Sequence, residues 1–184
     1  ESPGEGKIDL VELQRGAGQS VVKILFTPIG NLEEIRDDPR LPEDYSCSGS
    51  AHGSGFFIHP AGYLVTNAHV VDNADRRTLR CRTPSTGNTT FELELIGLGE
   101  TDSIDLALLR LKKKEIPRFL KLSGLAGIPI LKIADSDRVG STEEIAVLGY
   151  PEDSDDLRIK AANLSGRQYL VDYSEVLGGF QFLE

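Results

Sequence analysis

The stretch from Gly53 to Val71 constrains this chain more than any other. Gly53-Ser54-Gly55-Phe56-Phe57-Ile58 is an aromatic and β-branched run, Pro60-Ala61-Gly62 carries turn chemistry, and Tyr63-Leu64-Val65-Thr66 is a second apolar run. Two such runs joined by Pro and Gly predict a β-hairpin. Asn67-Ala68-His69-Val70-Val71 follows without a break and reads as a strand end passing into a helical turn. That order places one titratable ring, His69, at the edge of an apolar core.

The same texture continues on both sides. Val21, Val22, Ile24, Leu25 and Phe26 predict a strand. Further short apolar segments fall at residues 78–82, 91–98, 106–111, 119–122, 128–133, 144–148, 158–164, 169–173 and 178–183, separated by Thr, Gly, Asn and Asp turns. Short strands at regular spacing with almost no helical periodicity give an all-β sandwich or barrel. Residues 1–19 read as a polar N-terminal arm in which 8–13 form a short helix or a docked strand. Residues 28–45, with Pro, Gly, Asn and many charges, read as a long surface loop.

Composition closes off some functions. With 184 residues the chain can bury a real core, as one domain or two small ones. The balance of 29 Asp and Glu against 20 Lys and Arg, a net charge of −9, disfavours unspecific binding to nucleic acid, whose phosphates need a basic face. The cluster Lys112-Lys113-Lys114 reads as a solvated strand end. No apolar run approaches the roughly 18 residues that a membrane span needs. Glu152 to Asp156 is an acidic turn without an EF-hand pattern, so it reads as solvated and not as a calcium site. Cys47 and Cys81 lack metal-binding spacing; they could pair if their strands are neighbours, and free thiols are the favoured reading. The chain begins at Glu1 and has no Met, which suggests a removed leader or a trimmed start.

Three histidines are present. His52 in a Gly/Ser loop and His59 beside Pro60 read as solvated turn residues. His69 stands apart because of its apolar flanks, yet a lone histidine there is more often structural than catalytic. Asp105 opens the apolar run Leu106-Ala107-Leu108-Leu109-Arg110-Leu111. A carboxylate at the mouth of a buried strand is costly unless it accepts hydrogen bonds, and an imidazole N–H is one productive donor. From the residues alone Asp105 could equally cap a turn begun by Thr101-Asp102-Ser103, and Asp102 remains an equal candidate.

A resemblance separates them. Gly53 to Phe56 followed by Tyr63 to Val71 closely resembles the catalytic-histidine segment of the HtrA/Deg proteases, a branch of the trypsin-like serine peptidases. Asp105-Leu106-Ala107-Leu108-Leu109 is similar to that family's aspartate segment. Ile133-Ala134-Asp135-Ser136-Asp137, Val139-Gly140 and Ala146-Val147-Leu148-Gly149-Tyr150-Pro151 resemble the start of its second barrel. The three matches occur in the family's order across about residues 20–151. The resemblance implies a trypsin-like double β-barrel, with the first barrel complete in residues 20–115 and an incomplete second barrel in 116–184. It implies His69 as the general base and Asp105 as its orienting acid, with no cofactor and no metal. The implied substrate is an unfolded or damaged polypeptide. The implied setting is the periplasm or another exported compartment, or an organellar lumen. Trimers are common in that family, so a homo-oligomer is compatible.

The departure lies at the end. The resembled proteases carry their nucleophile in a Gly-Asn-Ser-Gly-Gly type loop just after a strand like Gly179-Phe180-Gln181-Phe182-Leu183-Glu184. The serine and the oxyanion-hole amides are therefore expected beyond Glu184, and the sequence as given is expected not to hydrolyse peptides by the triad route. Ser165-Gly166 comes too early in the second barrel, and Ser54 belongs to a strand entry. A barrel without its last strands leaves sheet edges and apolar surface open, so self-association or a partner is expected. The competing reading is a protease-like barrel kept for binding or assembly, with His69 and Asp105 as remnants.

Overall fold

The predicted hairpin is the hub of a larger sheet. Strands β2 (Ala51–His59) and β3 (Tyr63–Thr66) pair antiparallel with Phe56 opposite Val65 and Phe57 opposite Leu64. The Gly62 N–H donates to the His59 carbonyl at 3.0 Å and closes the turn. The computed structural model describes residues 8–29, 51–99, 104–140, 143–151, 154–164 and 180–182.

Strand β1 (Val21–Phe26) lies along the other edge of β2, and β6 (Ala107–Leu111) along the other edge of β3. Beyond them, β4 (Arg80–Arg82) pairs with β1 and β5 (Phe91–Gly99) with β6. Pairing of β4 with β5 then closes the six strands into a barrel. Closure removes the open edges that a flat sheet would leave. The period-2 pattern sets which side chains enter: in β5 and β6, Phe91, Leu93, Ala107, Leu109 and Leu111 are buried and face a common core with Val22, Ile24, Phe57 and Leu64. Each of these side chains apart from Ala107 contributes about 1.5–3 kcal/mol by leaving water.

Two expected strands take other forms. Residues 119–122 lie in a helix, α3 (Ile116–Ser123), the third after α1 (Leu10–Arg15) and α2 (Ala68–Val71). Pro117 in its first turn suits the N-terminus of a helix, and Gly124, at φ 69°, donates its N–H to Leu120 O and ends it. Ile116, Phe119 and Leu120 therefore fall on one helical face, and Phe119 caps the barrel, edge-on to Phe57 and Phe91 at 5.8 and 5.2 Å. Residues 128–133 form no strand; Pro129 interrupts them, and the Leu131 N–H reaches the Phe57 carbonyl at 2.9 Å. The arm resolves in favour of a helix, with Asp9 capping α1 by accepting from the N–H groups of Val11 and Glu12.

The second half is thinner. Strands β7 (Glu144–Gly149) and β8 (Arg158–Asn163) form a two-stranded sheet in which no residue is buried. A polar seam ties this hairpin to the barrel. Tyr150 N–H donates to Ser54 Oγ at 2.7 Å. Lys23 Nζ, from a side chain only 2% exposed on β1, donates to Asp155 Oδ1 at 2.7 Å and to Ser154 O at 3.2 Å. Arg82 Nη2 donates to the Asp155 carbonyl at 2.7 Å. The terminal strand β9 (Phe180–Phe182) lies antiparallel on the Gly97–Gly99 end of β5.

Cys81 is a free thiol buried in the core, and burial pushes its ionisation upward. Cys47, most of the 28–45 loop, Asp102, Glu152, Ser165-Gly166 and residues 169–173 lie outside the described residues. Lys112 and Lys114 both donate to Glu92 at 2.9 Å, so two charges of the lysine cluster are matched on the barrel surface.

Candidate active site

The barrel register creates the site. Thr66, at the end of β3, pairs with Ala107, at the start of β6. The residues that leave β3 and those that enter β6 therefore meet at one rim, although His69 and Asp105 are 36 apart in sequence. Thr66 Oγ1 donates to Ser54 O at 2.7 Å and fixes the strand end. Asn67 is still extended, at φ −70° and ψ 145°, and α2 begins at Ala68 with Ala68 and Val71 buried. That anchoring leaves the ring of His69 at the rim, with its side chain 58% exposed.

Two glycines permit the approach. A side chain at Gly53 would collide with Val70 in α2, and one at Gly99 would collide with the Ile104 carbonyl just before Asp105. Both segments that carry the candidate residues rest on backbone with no Cβ beneath them.

Asp105 and His69 are joined twice. His69 Nδ1 lies 2.6 Å from Asp105 Oδ2, and the His69 backbone N–H donates to Asp105 Oδ1 at 2.9 Å. Asn67 Nδ2 donates to Asp105 Oδ2 at 2.9 Å and to the Asp105 carbonyl at 3.2 Å. The His69 backbone N–H is the foremost cause that lowers the Asp105 carboxyl below its ordinary value; burial opposes it, and the His69 ring and Asn67 amide reinforce it. An ionised carboxylate only accepts hydrogen bonds, so Nδ1 carries a proton, and in the neutral form of the ring Nε2 is the nitrogen with the free lone pair. Among the described residues Nε2 has no hydrogen-bond partner. Chemically, the pair is an oriented imidazole base facing open space beside an anchored anion.

A cavity of about 490 Å³ lies between the barrel rim and β7, walled by Ser54, Asn67, Leu106, Leu131, Ala146 and Leu148, so that the neighbours of His69 and Asp105 in sequence, Asn67 and Leu106, line it. The Ser54 hydroxyl is engaged with the Tyr150 backbone. His52 lies in β2 opposite Leu25 and not in a loop, with Nε2 3.3 Å from Pro151 O. His59 accepts from the Ala61 N–H at 3.1 Å, as a turn residue does. Among the described residues no group of three or more His, Cys, Asp or Glu could hold a metal. Sequence reasoning gave Asn67 no role beyond the strand end, and passed over Lys23, a charge inside the apolar run Val21–Phe26. A cation in a run that is otherwise apolar signals a buried partner.

Comparisons with known proteins bear on the family and the fold. A family model described as a trypsin-like peptidase domain matches residues 53–180. A probable periplasmic DegP-like serine endoprotease of Rickettsia prowazekii (strain Madrid E) is 28% identical over 177 residues, covering 94% of this chain and 29% of the relative. The mitochondrial serine protease HTRA2 of Drosophila pseudoobscura pseudoobscura is 27% identical over 142 residues, covering 77% of this chain and 28% of the relative. The chain thus spans less than a third of either relative's length. The solved structure of the HtrA-type protease AlgW with a tripeptide superposes with a TM-score of 0.61 at 18% identity, over 89% of this chain and 42% of that one, and this likeness bears on the fold.

Proposed function

The chain belongs to the trypsin-like peptidase domain family, and on that footing we propose that it is part of a serine endopeptidase of the HtrA/Deg type that cuts unfolded or damaged polypeptides. The observation that carries the reading is the 2.6 Å contact between His69 Nδ1 and Asp105 Oδ2, at the rim where β3 and β6 meet. His69 and Asp105 are the base and the orienting acid of a Ser-His-Asp triad. His69 Nε2 takes the proton of a serine hydroxyl as the oxygen attacks the peptide carbonyl, then returns it to the leaving amine. Asp105 holds the Nδ1–H tautomer and stabilises the imidazolium between those two steps. The serine and the amides that bind the oxyanion belong to a Gly-x-Ser-Gly type loop, expected after the strand at 180–182.

Residues 20–115 are read as the first barrel and 116–184 as part of the second, with the cavity between them as the approach for an extended substrate. The reaction so drawn needs no cofactor. The periplasmic and mitochondrial relatives favour an exported or organellar location, the periplasm being the finer reading. No helix among the described residues is long and apolar enough to cross a membrane. A homo-oligomer fits the thin packing of the second half.

The test is the intact mass of the full-length protein before and after treatment with a fluorophosphonate, in the presence of an unfolded polypeptide. One covalent adduct that disappears on His69→Ala supports the peptidase. A folded protein that takes no adduct favours a barrel retained for binding or assembly.

A further inference from the structure

We infer that Asn67 is a positioning residue of the site: its side-chain amide sets the orientation of Asp105, and through Asp105 the tautomer of His69. This rests on the reading of His69 and Asp105 as base and orienting acid, and it adds a third member that acts through the acid.

The argument begins with what Asn67 does not do. It occupies the N-cap position of α2, where an asparagine side chain ordinarily accepts from the first free N–H groups of the helix. Here the Asn67 side chain makes no capping hydrogen bond. The N–H at the second helical position, that of His69, is instead satisfied by Asp105 Oδ1 at 2.9 Å, from 36 residues away. The asparagine, relieved of capping, turns its Nδ2 to Asp105 Oδ2 at 2.9 Å and to the Asp105 carbonyl at 3.2 Å. A plain capping role is thus excluded by the geometry.

The second part concerns the carboxylate. The terminal torsion of an aspartate is soft and has no sharp staggered wells, so donors must fix its plane. Oδ1 is held by the His69 backbone. Oδ2 is held by the His69 ring at 2.6 Å and by Asn67. The ring cannot fix the oxygen that is meant to fix the ring. Among the described residues only Asn67 provides Oδ2 with a donor independent of the imidazole, and its second contact ties the same amide to the backbone that enters β6. The amide must point its N–H₂ at the carboxylate, since its own oxygen would face an acceptor. The Asn67 side chain is exposed at the rim, so the pair is screened by water and its effect is on orientation more than on stability.

The experiment uses the 184-residue chain, with nitrogen-15 NMR of the His69 ring and carbon-13 NMR of the Asp105 carboxyl followed against pH, and a thermal melt for each variant. Asn67→Ala is expected to lower the ratio of Nδ1–H to Nε2–H tautomer about three- to tenfold, the net worth of one hydrogen bond, and to move the Asp105 titration to higher pH. Asn67→Asp should move it further, because a like charge then faces the carboxylate. Asn67→Ser, which keeps a short donor, should fall between wild type and Asn67→Ala, and it stands in if Asn67→Ala does not fold. Variants that change the melting temperature alone, with the ring tautomer and the Asp105 titration as in wild type, overturn the inference. Its failure is separable from that of the peptidase reading: a response of the ring in a protein whose full-length form takes no fluorophosphonate leaves the positioning role standing and removes the reaction.

Discussion

In the barrel, β5 and β6 send Phe91, Leu93, Ala107, Leu109 and Leu111 into one core, each at most 1% exposed. In strands β7 and β8 no residue is buried, and Val147 is 55% exposed; of the residues between them Tyr150 is buried. The barrel is held by apolar surface removed from water, and the hairpin is held in place by a seam of polar contacts from Ser54, Lys23 and Arg82. The difference shows that two antiparallel sheets in one chain can owe their positions to different forces. The barrel tolerates little change in volume, whereas the hairpin depends on the matching of a few donors and acceptors.

The largest test is of the barrel lid. Phe119→Ala removes a ring wedged against Phe57 and Phe91 and should cost about 3–5 kcal/mol in denaturant unfolding. A loss below about 1 kcal/mol would mean that the lid is not part of the core. Next comes Gly99→Ala, whose methyl meets backbone carbonyls at the entry to β6; about 1–3 kcal/mol is expected, along with displacement of Asp105, visible in the His69 ring resonances.

The seam predicts an asymmetry. Among the described residues Asp155→Ala leaves the buried Lys23 ammonium with the Ser154 carbonyl alone, and it should cost about 1–3 kcal/mol. Lys23→Met, which keeps the packing and removes the charge, should be nearly neutral for the barrel while raising amide exchange in β7 and β8. Equal effects in the two halves would erase the distinction drawn here. Burial pushes the Tyr150 hydroxyl up to about 12. If Lys23→Met loosens the hairpin, absorbance titration should show that tyrosine returning toward its ordinary value of 10.

Acid should act on the barrel surface late. Lys112 and Lys114, by donating to its carboxylate, bring Glu92 down to about 2 from an ordinary 4.5. A folded pKa depressed in this way contributes stability above the unfolded value, and that contribution is lost as pH falls through the folded one. The Glu92 carboxyl resonance should therefore stay that of the anion from neutral pH to near pH 2. The smallest effect is Val147→Ala, exposed on β7, expected within about 0.5 kcal/mol.

What could be read in advance follows the same division. The barrel strands were legible because alternation and turn residues such as Pro60-Ala61-Gly62 are local signals. His69 and Asp105 stand out as candidates through their flanking motifs, while their contact required the Thr66–Ala107 register, which is not local. Residues 119–122 look like a strand by their apolar character alone; the helix depends on Pro117 and Gly124, which bracket them. Residues 128–133 are apolar enough for a strand, but Pro129 removes one donor, and a single backbone hydrogen bond, from Leu131 to Phe57 in β2, does not make a ladder. Lys23 was opaque because its partner, Asp155, comes from 132 residues away.

The reach of Asp105 to the His69 amide has one more consequence, for the order of assembly. A four-residue turn cannot hold itself together in water, and here the acid that steadies it arrives on a strand that must first lie against β3. The histidine-bearing turn thus acquires its shape from a contact distant in sequence. An unfinished chain, still threading its way to a closed barrel, carries the histidine but not yet the carboxylate that orients it.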